Sequence, residues 1–109
     1  MWLRASGVRL TGIGNIKFAS DDRDGARAAW AQSAAFGRKA VAAAPNMLQW
    51  KLDLAQALQK LSSVSDDESA RAQLAEALAL LEPLDHDSKL NPAQSGWVKS
   101  IRDKLASLK

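Results

Sequence analysis

Few residues in this chain could do chemistry, and their spacing limits what they can do. The one histidine stands in Asp85-His86-Asp87. An imidazole between two carboxylates could ligate a metal or pass a proton. A metal site needs third and fourth ligands, and none of suitable type stands near in sequence. The triplet therefore reads as a polar loop after Pro83. Gly12-x-Gly14 could approach a phosphate through its backbone, but it has no preceding strand and no Lys-Ser/Thr pair. Close helix contact is the expectation for these two glycines instead. Asp21, Asp22 and Asp24 lack the ligand spacing and closing Glu of a calcium loop. Negative charge at a helix start is reason enough for them. The 11 serines have no His or Lys placed to activate a hydroxyl. With no cysteine there is no thiol nucleophile, thiolate site or disulfide framework. The expectation is a non-enzymatic chain with no cofactor and no metal.

What remains is the scaffold. The 109 residues make one small domain, 1–109. Ala contributes 21 and Leu 15, against 8 for Val, Ile and Thr together. That balance favours helix over strand. An apolar share of 47% with 25% charge belongs to a folded chain. No apolar run approaches the roughly 20 residues that span a bilayer. No secretory pattern follows Met1-Trp2-Leu3-Arg4, so a soluble cytoplasmic protein without membrane partners is expected. The net charge of +3 is basic at both ends and mildly acidic in the middle. The bases alternate with apolar residues at helical spacing, as on a solvated helix face, which disfavours nucleic acid as a partner.

The chain also repeats itself. Trp2, Trp50 and Trp97 lie 48 and 47 residues apart. Each is followed by an aliphatic residue 8 and 11 positions later: Leu10 and Ile13, Leu58 and Leu61, Leu105 and Leu108. The first two units add Ile16 and Val64 at offset 14. These offsets fall close to one face of an α-helix. A second pattern aligns Ala26, Arg27 and Trp30 with Ala70, Arg71 and Leu74 at an offset of 44. The order is A–B–A–B–A, five helices over about 2–19, 22–43, 46–63, 66–82 and 92–108. Ser65 with Glu68 and Asn91 with Gln94 read as capping boxes, and Asn46 with Gln49 as a weaker one. Pro45 and Pro83 read as helix stops.

Leu54-Ala55 with Leu58, then Ala70, Leu74 and Ala77, and the closing Pro45-Asn46, resemble the tetratricopeptide repeat. Nineteen residues separate Ala26 from Pro45, longer than the standard unit, and this is similar to long-helix bacterial variants of the repeat. The resemblance covers nearly the whole chain. It implies an all-α fold of antiparallel helix hairpins stacked as a short α-solenoid. Repeat unit 1 would be 2–45, repeat unit 2 would be 46–90, and 91–109 a C-terminal capping helix. It implies a protein–protein interaction module that binds a peptide or partner protein on the concave face of the A helices. By position that face would hold Arg4, Val8 and Thr11, then Gln49, Leu52, Gln56 and Gln59. An alternative reading is a capping or self-association fragment of a longer repeat protein, with no ligand of its own. Repeats bury their faces on one another and need polar caps. Nothing like the last helix precedes Trp2, so a homo-oligomer through that end is also an expectation.

Overall fold

A computed structural model describes residues 2–108, with side chains from Arg9 onward. It holds five helices and, among the described residues, no strand: α1 Trp2–Ala19, α2 Arg23–Ala43, α3 Leu48–Ser62, α4 Asp67–His86 and α5 Pro92–Ser107. Four of the five have both ends within two residues of those expected from sequence. The fourth does not, because Pro83 lies inside α4 rather than after it. Proline removes one helical N–H and crowds the preceding turn. Here tertiary contacts outweigh that cost. Leu81 and Leu84 are buried on either side of the exposed Pro83. Ser95 Oγ donates to Asp85 Oδ1 at 2.8 Å, and Arg102 pairs with Glu82. The last turn of α4 is thereby held against α5.

Helix starts follow local chemistry, with two shifts from expectation. Asp22 Oδ1 accepts from the Gly25 N–H at 2.9 Å and caps α2. Asn91 and Gln94 form the reciprocal box at 2.8 and 3.0 Å. The cap of α4 is Asp66, not Ser65. Its Oδ1 accepts from the Ser69 N–H at 2.8 Å, while the Ser65 hydroxyl turns back to the Leu61 carbonyl. That backbone hydrogen bond, joined by one from the Ser69 side chain, holds the Asp66 carboxyl below its ordinary pKa. Helix α3 has Met47 as its N-cap residue and no side-chain cap, since a thioether is a poor acceptor, and Gln49 Nε2 donates along the helix to Asp53 Oδ1. Two helices end on a left-handed residue that is not glycine. Asp21 has φ 66° and Ser88 φ 59°. In each case the next N–H reaches five residues back, from Asp22 to Lys17 and from Lys89 to Leu84, both at 2.8 Å.

Each helix packs on its chain neighbours, and α1 also touches α3. The chain measures 38 × 37 × 22 Å, and the short axis is room for two packed helices. The main core lies between α3, α4 and α5, around Leu58, Leu74, Leu81, Val98 and Ile101. A smaller one joins α2 to the end of α3 through Ala26, Trp30, Leu61 and Val64. Truncating a side chain such as Leu58 to Ala in a core of this kind costs about 2–5 kcal/mol.

Trp30 is where three helices meet. Its indole N–H donates to the Thr11 carbonyl at 3.1 Å. Its ring lies 5.7 Å from that of Phe18, and the Lys60 ammonium stands 5.8 Å above it. It fits because Gly14 has no side chain: a Cβ there would lie 2.3 Å from Nε1. The expected close helix contact thus holds at Gly14. It does not hold at Gly12, where a Cβ would meet nothing within 4 Å.

Some positions matched in sequence share their surroundings in three dimensions. Ala26, Trp30 and Ser33 are buried, as are Ala70, Leu74 and Ala77. Arg27 Nε donates to the Val64 carbonyl at 2.7 Å, and Arg71 donates to the Leu108 carbonyl. Each second-helix arginine therefore holds the carbonyl end of the following helix, α3 or α5. The Trp-based offsets diverge in burial. Leu58, Leu61 and Val64 are buried, whereas Ile13 is 37% and Ile16 69% exposed.

Candidate functional site

Helix α3 is covered by α2, α4 and part of α1, and only a narrow strip of it faces outward. Residues three and four apart line one helix side. Gln49 and Gln56 are exposed on that strip, with Asp53, Gln59 and Lys60 half-buried beside them. Gln49 Nε2 is engaged with Asp53 Oδ1 at 2.9 Å. The strip offers amide donors and acceptors, one carboxylate and one ammonium. Such groups can pair with a peptide backbone or with polar side chains of a partner.

Two of the other residues assigned to this face lie elsewhere. Leu52 is 5% exposed and belongs to the core shared with α4 and α5, so a partner cannot reach it. Thr11 turns toward α2, its hydroxyl 2.7 Å from Ser33 Oγ. The small residues Gly14 and Ser33 bring α1 and α2 close, and Thr11 serves that contact. The side chains of Arg4 and Val8 lie outside the described residues, as does that of Trp2. Of the seven positions, the structure brings together Gln49, Gln56 and Gln59.

The polar groups weighed for chemistry sit apart. Asp85 is engaged with Ser95, and His86 is exposed, its Nδ1 3.5 Å from Asp87 Oδ1. No group of three or more His, Cys, Asp or Glu suited to a metal occurs among the described residues. Asp22 pairs with Lys17 at 3.7 Å and Asp24 with Arg27 at 3.3 Å. No helix among the described residues is long and apolar enough to cross a membrane.

One concavity was not foreseen from sequence. A groove of about 340 Å³ lies where α2, the end of α3 and the start of α4 meet, lined by Arg27, Leu61, Ser65, Asp66, Ser69 and Gln73. Gln73 Oε1 is buried there without a hydrogen-bond donor. Arg27 was visible in sequence only as the match of Arg71. Its place at this junction depends on how α3 ends. No family model, curated protein or solved structure matches the chain.

Proposed function

We propose that this chain is a non-enzymatic protein-interaction module of the tetratricopeptide type, built of two helix hairpins and a closing helix. Its binding face is the outward strip of α3, through Gln49, Gln56 and Gln59. The observation that carries this reading is that strip: long polar side chains aligned on one helix side, of which Gln49 and Gln56 stand exposed. The contact of α1 with α3 supports it, because side-by-side first helices are what a shared inner face requires. The arginine tethers at Arg27 and Arg71 support the repeat. A flexible polar strip suits an extended peptide or a partner helix rather than a small apolar ligand.

A displayed peptide library selected on the intact protein tests the reading. Binders should lose at least about tenfold in affinity to the Gln56→Ala/Gln59→Ala double variant, which is about 1.4 kcal/mol. They should keep their affinity for a variant at the exposed Ala72 of α4. Equal affinity for the parent and the double variant would remove the α3 face from consideration.

A further inference from the structure

The exposed aliphatic face of α1 has a covered counterpart on α3. Ile13 and Ile16 stand at the same offsets from Trp2 as Leu61 and Val64 from Trp50. In the second unit those positions are buried beneath Ala26 and Trp30 of an antiparallel neighbour, α2. In the first unit they are 37% and 69% exposed. Isolated surface aliphatics are ordinary. Two of them one turn apart, on a stripe that the second unit covers, mark a helix-receiving face.

We propose that a second copy of this chain occupies it, the two α1 helices lying antiparallel about a two-fold axis between Ile13 and Ile16. A two-fold contact uses the same patch on both copies, so one pairing covers both open faces. Each Ile13 then meets the other copy's Ile16. The stripe also has unlike ends. Exposed Arg9 lies one turn before Ile13, exposed Ser20 lies one turn after Ile16, and exposed Asp21 follows just past the end of α1. The antiparallel register sets each Arg9 opposite the other copy's Ser20, next in the chain to the acidic Asp21, whereas a parallel one stacks Arg9 on Arg9. Opposed helix dipoles favour the same direction. A contact between two single helices is smaller than the roughly 1,200 Å² of a standard interface, so the association is weak and concentration-dependent. This inference does not depend on the α3 face.

Sedimentation of the full chain tests it. The dimer fraction should rise between roughly 10 μM and 1 mM, the range of a small interface. Ile16→Glu, on an exposed side chain, should keep the helical circular dichroism and weaken association at least tenfold. Because the chain has no cysteine, introduced thiols report the register directly. A mixture of Arg9→Cys and Ser20→Cys proteins should form the mixed disulfide faster than either forms its own. A monomer throughout the range would overturn the proposal and leave the face to solvent or to another protein's helix. So would a dimer unmoved by Ile16→Glu, or a preference for the Arg9→Cys self-pair. The Gln56→Ala/Gln59→Ala variant should dimerise normally, so failure here and failure of the peptide-binding reading are told apart.

Discussion

Gly14 and Gly12 stand two positions apart in one helix and face opposite fates on the same substitution. A methyl at Gly14 would intrude 2.3 Å from the Trp30 indole. Trp30 is 3% exposed and fixed by its bond to the Thr11 carbonyl, so α1 and α2 must part. Gly14→Ala should lower stability by about 1–3 kcal/mol, the usual cost of overpacking. At Gly12 the space is open, and alanine is the better helix former. Gly12→Ala should raise stability by about 0.5–1 kcal/mol. Urea unfolding of the two variants beside the parent checks the opposite signs. The residue types were legible in sequence at both positions, and the distinction was not. It depends on where a tryptophan 16 residues beyond Gly14 comes to lie.

At the scale of the element, α4 is the informative case. Caps and periodicity are local signals, which is why the starts of α2 and α5 and the ends of α1 and α2 were readable from the chain. Pro83 was misread because its local cost is real, and what outweighs it lies on another helix. Replacing this exposed proline by alanine restores a donor to the Ala79 carbonyl and sacrifices no burial. Pro83→Ala should therefore raise stability by about 1–2 kcal/mol, after the entropy that proline removes from the unfolded chain is set against the gain. A rise in thermal midpoint checks it. Leu52 teaches the same lesson from the other side. Its spacing from Gln49 and Gln56 is that of one helix side, yet it is buried. The width of an exposed strip is set by neighbouring helices, and no pattern within α3 encodes that.

Across the whole molecule the cores are unevenly shared. The larger one joins α3, α4 and α5 with Ala34 of α2, and the smaller one joins α2 to the end of α3. Helix α1 adds Gly14 beneath Trp30 but leaves Ile13, Ile16 and Phe18 exposed. Local opening is easiest where few apolar groups are buried. Hydrogen exchange should thus find amides of residues 12–19 protected several-fold less than those of 54–61, with the gap narrowing as protein concentration rises. Equal protection in both segments would show that α1 opens only with the whole domain. The all-helical class was legible in the sequence, because composition carries it. The difference in burial between matched positions was not, since Ile13 and Leu61 obey one pattern and differ only in what lies over them.

The arginine tethers carry a consequence for how the chain is made. Arg27 reaches a carbonyl 37 residues ahead, and Arg71 does the same over the same span. The two loops entering the second helices differ in length, but the tethered span does not. A chain emerging from the ribosome can therefore close its first tether once Val64 is free, while the second unit is still being synthesised. The second tether needs Leu108, so the first pairing does not have to wait for the second.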